Sequence, residues 1–223
     1  MGSINRKGKT FLLLLTVCLS ALPERVAHAY VLPTEQILQL MAANPAKTRT
    51  LIVHQHVEEI TPDRGAWGFD EIVTMKSPDL IHSSIKESGE TAGRRKDGFY
   101  LQFFLANSAS RLMALLLEAG IDVQKVGYTR TEGVVAYRIG ENQQSGPMLL
   151  VEKARFLPLL LSYKAPDPGG TLARVRFLDY RRVEQAWYPF EIFQSTAAGY
   201  TEKCTVRFLK VNGAVSASLF GRR

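Results

Sequence analysis

Cysteine is scarce in this sequence, with Cys18 and Cys204 as its two examples among 223 residues. Cys18 falls in a leader that we expect to be removed, so a single thiol remains. One thiol cannot form an internal disulfide, and it cannot supply a cysteine-rich zinc site. The mature protein must therefore be stabilised by the packing of its apolar side chains.

A hydrophobic run long enough to cross a membrane is also missing near the start of the chain. The apolar run Phe11–Leu22 has 12 residues, follows a basic start and precedes Ala27-His28-Ala29. A spanning helix needs about 20 residues. The basic start, short apolar core and A-x-A site are typical of a secretory signal peptide. We predict that residues 1–29 are cleaved near Ala29 and that the protein is periplasmic.

A lipid anchor on Cys18 is the alternative use of this leader. Lipoprotein signals carry a small residue directly before the modified cysteine, whereas Val17 is bulky and β-branched. We therefore interpret Cys18 as part of the apolar core of the leader.

A strong charge of one sign is absent from the mature chain. The full sequence has 28 Lys and Arg against 21 Asp and Glu, and residues 1–29 hold four and one of these. The remaining 194 residues carry a formal charge of +4, which does not favour nucleic-acid binding. Their length suits a single domain, 30–223, with a sizeable core. The basic run Arg94–Lys96 is either a solvated loop or a contact for lipid headgroups or an acidic partner.

Catalytic and cofactor motifs are missing as well, including G-x-S-x-G, the P-loop and G-x-G-x-x-G. His54 and His56 share one face of a strand, but no third metal ligand has an obvious place beside them. Cys204 has no evident general base nearby. Asp179, Glu184 and Glu191 lie among arginines, which favours cross-strand ion pairs over acid–base chemistry. We expect no metal, no cofactor and no enzymatic activity.

Two segments have the apolar spacing of helices. Pro33–Ala43 offers Thr34 as an N-cap, and Asn107–Ala119 begins with Asn107 or Ser108 as a cap and is apolar over much of its circumference. We expect both helices to cover the concave side of a sheet. The side chains on them that we expect to touch a ligand are Ile37, Leu38, Met41, Leu112, Met113 and Leu116.

The rest of the chain alternates with period two between turn signals. The predicted strands are Arg49–Ile60, Ala66–Lys76, Leu80–Glu87, Phe99–Leu105, Val123–Arg130, Gly133–Ile139, Met148–Lys153, Leu157–Lys164, Leu172–Val183, Trp187–Gln194 and Tyr200–Val211. So many strands with few helices between them favour an antiparallel meander. A sheet of this size curls. We predict a mainly β fold, an incomplete antiparallel β-barrel with two helices as a lid.

Apolar residues at alternate positions are predicted to face the interior of this barrel. They are Leu51, Val53, Val57, Trp67, Phe69, Val73, Met75, Leu157, Leu159 and Leu161. A slip of one residue in register would reverse the face of each strand, so the assignment depends on the register.

Several segments, in order, resemble the LolA-like periplasmic lipoprotein-sorting proteins. Trp67–Ile81 (WGFDEIVTMKSPDLI) resembles a strand of that family and its Lys-x-Pro turn, here Lys76 and Pro78. Asp97-Gly98 followed by Phe99 and Tyr100 resembles the next turn and strand. The remaining matches are the paired segments Phe177–Arg181 and Trp187–Phe190 and the closing segment Asn212–Phe220.

The resemblance implies a hydrophobic cavity that shelters acyl chains beneath a helical lid. The best-known carriers have an arginine before the turn proline that helps to control the lid, and here that position is Ser77. The release mechanism of those carriers therefore does not transfer residue by residue.

The leading hypothesis is a carrier of lipoprotein acyl chains or phospholipid towards the outer membrane. It implies an inner-membrane donor, an outer-membrane acceptor, transient membrane contact and a monomeric protein. Two alternatives remain open: a periplasmic sensor or regulatory binding module of the same fold, and an enzyme acting on envelope lipids. The cavity residues expected for the carrier are Ile37, Leu38, Met41, Leu51, Val53, Trp67, Phe69, Val73, Met75, Leu112, Met113 and Leu116.

Overall fold

The computed structural model describes residues 30–62, 65–87, 90–92, 98–142, 145–165 and 170–220. From Val31 onward the chain forms one compact unit. The predicted signal peptide, residues 1–29, and the basic run Arg94–Lys96 lie outside the described residues. Within the described ranges, no helix is both long enough and apolar enough to span a bilayer.

The described part of the chain contains a single antiparallel sheet of eleven strands. The strands are β1 (Thr50–Thr61), β2 (Gly65–Lys76), β3 (Leu80–Glu87), β4 (Glu90–Ala92), β5 (Val126–Thr131), β6 (Val134–Gly140), β7 (Met148–Glu152), β8 (Pro158–Lys164), β9 (Leu172–Val183), β10 (Ala186–Thr196) and β11 (Thr201–Val211). Their order is β4-β3-β2-β1-β11-β10-β9-β8-β7-β6-β5. β4 and β5 form the two edges, so the sheet remains open, and the predicted mainly β architecture is confirmed.

The register divides the turns between two ends of the sheet. Ile60 pairs with Thr201 of β11, which places the β1–β2 and β10–β11 turns side by side at one end. Leu51 pairs with Val211, so the loop before β1 lies at the opposite end. The β2–β3, β7–β8 and β9–β10 turns lie at that opposite end too.

Two α-helices were predicted, and two are found in the described residues: α1 (Thr34–Ala42) and α2 (Ala109–Glu118). Ser108 caps α2, because its hydroxyl accepts a hydrogen bond from the Arg111 amide at 3.2 Å. The predicted cap of α1 is wrong. Pro33 occupies the N-cap position without a side-chain hydrogen bond, and the Thr34 hydroxyl instead donates to the carbonyl of Val123 at 2.7 Å.

The predicted strand Phe99–Leu105 is wrong, because Phe99–Phe104 forms a 3-10 helix. Its buried side chains are Tyr100, Leu101, Phe103 and Phe104. That spacing belongs to a helix with one apolar face and does not alternate as a strand would. A short, nearly continuous apolar run does not distinguish the two by periodicity.

The core lies between the sheet and the helical segments. Alternate residues of β1 and β2 face it, with Leu51, Val53, Val57, Val73 and Met75 all buried. The inward faces of α1 and α2 bury Ile37, Leu38, Met41, Leu112, Leu115 and Leu116. The concave side of the sheet is therefore filled by the chain's own apolar side chains.

One residue predicted to face this core lies elsewhere. Leu150 pairs with Leu160 and Val151 pairs with Pro158, so Leu159 is the extra residue of an irregularity in the β7–β8 pairing. Such a bulge re-aims the side chains beside it. Leu159 accordingly packs against a second, smaller apolar cluster rather than the main core.

Candidate functional site

An apolar pocket lies where the end of α1 meets the β7–β8 turn and the β9–β10 hairpin. The gap between its lining atoms has a volume of about 430 Å³, which includes space open to solvent. Its lining residues are Met41, Asn44, Pro45, Thr48, Leu51, Phe103, Phe104, Leu112, Phe156, Leu157, Pro158, Tyr180, Ala186 and Trp187. No lining side chain carries a formal charge, so the pocket suits an uncharged, apolar ligand group.

Aromatic rings of the 3-10 helix form the inner wall of the pocket. Phe104 packs edge-on against Phe177, with ring centroids 5.5 Å apart, and lies 4.7 Å from the Tyr188 ring. Leu112 of α2 closes the wall beside them and is buried. These side chains occupy most of the interior, so a long chain can enter only if they or the helices move.

The Asn44 side chain fastens the end of α1 to the sheet. Its Nδ2 donates to the carbonyls of Arg155, at 3.1 Å, and Phe156, at 3.2 Å. We call this pair of bonds the Asn44 latch. Both acceptors belong to the turn between β7 and β8, so the latch joins residues more than a hundred positions apart. Breaking it would free the loop after α1 while leaving the helix itself intact.

The turn that receives the latch is held in a constrained conformation. Phe156 has φ of 55°, in the left-handed region that bulky residues rarely adopt. Its amide donates to the carbonyl of Glu152 at 2.9 Å, and its ring stacks on Tyr137 at 5.9 Å. Strain of this kind persists only where surrounding contacts fix the backbone.

A charged pair borders the pocket without entering it. The Arg155 guanidinium forms an ion pair with Glu152 at 2.7 Å and lies 5.2 Å from the centre of the Trp187 ring. The cation therefore shields one side of the indole while its charge is balanced by the carboxylate.

Tyr180 contributes a phenol to the pocket lining. Its hydroxyl donates to the carbonyl of Pro158 at 2.7 Å. Burial raises the pKa of Tyr180 well above its ordinary value, and the nearby Tyr188 raises it further. The phenol is therefore neutral over the physiological range, which keeps this wall uncharged.

The helix α1 is anchored at its start and its following loop. The Thr34 bond to Val123 holds the start, and the Asn44 latch holds the end. Beyond the latch, the Asn212 side chain accepts from the Arg49 amide at 2.7 Å and donates to the carbonyl of Lys47 at 3.1 Å. The segment Asn212–Phe220, recognised in the sequence, thus begins by holding the loop between α1 and β1.

The structure brings three of the predicted cavity residues into the pocket wall: Met41, Leu51 and Leu112. Others are buried in the surrounding core, namely Ile37, Leu38, Val53, Val73, Met75 and Leu116. Phe69 and Met113 are partly buried and pack against that core. Contact of any of these residues with a ligand stays a prediction.

Trp67 lies apart from the pocket, at the opposite end of the sheet. Its side chain is 39% exposed, although the period-two pattern correctly places it on the same face as Val73. The strand extends beyond the part of the core that covers it. Lys76 is the last residue of β2 and pairs with Thr50. Pro78 lies in the β2–β3 turn, and neither residue is in the pocket lining.

Sequence reasoning missed most of the aromatic wall. Phe103 and Phe104 were assigned to a strand, and Phe156, Tyr180 and Trp187 were not considered as site residues. The available signal was the density of aromatics in Phe99–Phe104. No sequence pattern marked Asn44, because its role depends on a turn far along the chain.

In the described ranges, the residues considered for a metal site or for acid–base chemistry do not form an assembled site. No group of three or more His, Cys, Asp or Glu side chains there is arranged to hold a metal ion. His56 Nδ1 lies 2.8 Å from an Asp70 carboxylate oxygen on the surface. Asp179 pairs with Arg181 of its own strand at 2.6 Å, so that ion pair runs along the strand and not across it.

Similarity to known proteins lies in the fold. No family model and no curated protein matches the sequence. Among solved structures, the chain is similar to a LolA superfamily protein from Nitrosomonas europaea, with a TM-score of 0.56 and 12% identity over 85% of this chain and 97% of that one. The chain has a LolA-like fold. The order of short motifs in the sequence had indicated this fold, and the structural match confirms it.

A second structure with the same level of similarity is a DUF1329 family protein from Desulfovibrio piger. Its TM-score is 0.56 at 13% identity, over 84% of this chain and 97% of that one. At such identities the similarity shows the fold alone.

Proposed function

We propose that this protein is a periplasmic carrier that shelters the acyl chains of a lipoprotein or lipid for transfer towards the outer membrane. The observation that carries the proposal is the apolar pocket beneath the end of α1, in which Asn44 and Tyr180 direct their hydrogen bonds to the backbone. The lid consists of α1 and α2. The LolA-like fold supports the proposal at the level of architecture.

The driving force for loading is the transfer of apolar surface out of water. Each methylene gains roughly 0.8 kcal/mol, so a long acyl chain offers on the order of 10 kcal/mol. The present conformation is filled by Phe104 and Leu112, so loading must displace side chains or lift the lid. That cost offsets part of the gain, which keeps the affinity low enough for delivery to an acceptor.

The Asn44 latch is the proposed control point of the lid. It fastens α1 to the β7–β8 turn through two hydrogen bonds that an entering chain would break. Ser77 stands where the best-known carriers have their lid-controlling arginine, so a different side chain must restrain the lid here. Asn44 supplies such a restraint from the helix side.

The proposed role is binding without catalysis, with a membrane donor and acceptor as transient partners. Protein purified from the periplasm and analysed by native mass spectrometry should carry lipid or lipoprotein mass. Incubation with phospholipid should leave the lipid unhydrolysed. Lipid turnover that a single polar substitution abolishes would contradict the carrier proposal and show that the protein is an enzyme.

A pair of variants on one helix tests the site. Leu112→Asp places a charge in the pocket wall and should abolish binding of a monomeric fatty acid, whereas Leu117→Asp changes a residue of α2 that is 58% exposed and should bind normally. Ala186→Leu fills the pocket without a charge and should also weaken binding, which separates loss of the site from loss of the fold. Equal binding by all three variants and the parent protein would refute the pocket as the acyl site.

A further inference from the structure

The mouth of the apolar pocket carries most of the net charge of the mature chain. Three segments that hold lining residues form it: the end of α1 with the loop that follows (41–51), the β7–β8 turn (152–158) and the β9–β10 hairpin (179–187). We call these three segments the rim. The rim contains six Lys or Arg and three Asp or Glu, a net charge of +3 out of the +4 of residues 30–223. This excess belongs to the mature protein and owes nothing to the leader.

Two of the three acids of the rim are already neutralised by neighbours. Glu152 pairs with Arg155 at 2.7 Å, and Asp179 pairs with Arg181 at 2.6 Å. The third acid, Glu184, is an exposed residue of the β9–β10 turn. Four rim cations form no ion pair with any residue that the structure describes: Lys47, Arg49, Lys153 and Arg182. The rim is therefore positive even after its internal pairs are taken into account.

Two arginines of the rim meet at the side chain of Trp187, which lines the pocket. The Arg155 guanidinium lies 5.2 Å from the centre of the Trp187 ring. Arg182 is the direct partner of Trp187 in the register of β9 and β10. Residues paired in this way project to the same face of the sheet, with Cβ atoms about 5 Å apart. Both cations therefore stand beside one side chain of the apolar lining.

Arg155 is held in place and keeps hydrogen-bond donors to spare. Its Nε and Nη2 both donate to one oxygen of Glu152, at 2.8 and 2.7 Å, and the buried position of Glu152 fixes that carboxylate. A guanidinium has five N–H donors, so this oxygen leaves most of them available. Phosphate and carboxylate oxygens match the planar fork of an arginine. Arg182 adds the unbalanced positive charge that the Arg155–Glu152 pair lacks.

We infer that the guest of the pocket is an amphiphile with an anionic headgroup, whose phosphate or carboxylate binds Arg155 and Arg182 while its apolar chain enters beside Trp187. The inference rests on the proposed carrier function, because it names the headgroup class of the lipid that the pocket holds. The uncharged lining receives the chain, and the positive rim receives the charge. An amphiphile with a neutral headgroup would leave the rim unused and should bind more weakly.

Two amphiphiles that share a lauroyl chain and differ in headgroup provide the test, by calorimetric titration below their critical micelle concentrations. Lauroyl lysophosphatidic acid should bind the mature protein about tenfold more tightly than monolauroylglycerol, and the preference should shrink as salt is added. Arg182→Gln should remove most of the preference by weakening the phosphate form, and Arg155→Lys should remove less because it keeps the charge. Arg207→Gln, at an arginine paired with Asp70 on the surface, is the matched control and should keep the preference.

The possible failures of the two proposals differ in these titrations. Equal affinity for the two amphiphiles, or an Arg182→Gln variant that keeps the preference or weakens both amphiphiles equally, would overturn the anionic headgroup and leave the carrier function standing. Glycerol 3-phosphate has the same headgroup without a chain and should bind far more weakly than lysophosphatidic acid. If it binds as tightly, the rim takes a free anion and the carrier function fails. If neither amphiphile binds, the carrier function fails and the inference fails with it.

Discussion

The two ends of this sheet are built in opposite ways. At the pocket end, the Asn44 latch and the Tyr180 hydroxyl tie the α1 loop and the strand turns to one another through backbone carbonyls. At the other end, here called the tip end, the β1–β2 and β10–β11 turns lie side by side, and Ile60 and Trp67 are 51% and 39% exposed on opposite faces of the sheet. This difference fits the proposed function, in which the pocket end holds an acyl chain under restraint.

The largest difference between the two ends is expected in the free energy of unfolding when one aromatic side chain is truncated at each end. Phe104→Ala removes a buried ring that contacts Phe177 and Tyr188, and we expect a loss of about 3–5 kcal/mol in the free energy of unfolding. Trp67→Ala removes a partly exposed ring that lies 4.8 Å from the Phe69 ring, with an expected loss of about 1 kcal/mol. Urea denaturation measures both, and equal losses would show that the tip end is as tightly packed as the pocket end.

Removing the Asn44 latch should loosen the pocket end of the sheet and leave the tip end unchanged. Asn44→Ala leaves the carbonyls of Arg155 and Phe156 without their donor, so the free energy of unfolding should fall by about 1–2 kcal/mol. Hydrogen exchange should quicken in α1 and remain unchanged in the β1–β2 hairpin. Asn142→Ala, at an exposed asparagine that accepts a bond from Arg138, is the matched control. Unchanged exchange in α1 would remove Asn44 as the restraint on the lid.

Replacing the cation beside the pocket should give a smaller, local effect. Arg155→Lys keeps the charge but loses the planar contact with the Trp187 ring and the forked pairing with Glu152. Because Arg155 is substantially exposed, we expect a loss of only about 0.5–1 kcal/mol. The emission of Trp187, read in the Trp67→Phe background, should shift while Trp67 emission does not. A shift in both would mean that the ends are not independent.

Among these changes, replacing Tyr180 at the pocket end is expected to have the smallest effect on stability at neutral pH. Burial raises the folded-state pKa of Tyr180 above its ordinary value of 10.0, so above about pH 10 the unfolded chain loses a proton that the folded chain keeps. The stability due to this group is complete below that pH and falls as the pH rises. Tyr180→Phe should reduce the alkaline slope of stability. An identical slope in parent and Tyr180→Phe would contradict this.

Strand alternation and helix spacing sufficed to predict the architecture, because most segments have one buried face. The 3-10 helix Phe99–Phe104 escaped prediction, since a short, nearly continuous apolar run does not distinguish a strand from a helix by its period. Leu159 was assigned to the wrong side because a bulge cannot be read from alternation. The pocket itself could not be foreseen for a related reason: its lining joins Asn44 to Phe156 and Trp187, which are distant in the chain and meet only through tertiary packing.

The most direct test of the carrier proposal is titration of the Trp67→Phe variant with a monomeric fatty acid brominated near the middle of its chain. Trp187 lines the pocket and is the only indole in this variant. The account predicts saturable quenching of Trp187 at one ligand per protein, with no such quenching in the Trp187→Phe variant that retains Trp67. Saturable quenching of Trp67 alone, or none for either indole, would contradict the assignment of acyl chains to this pocket.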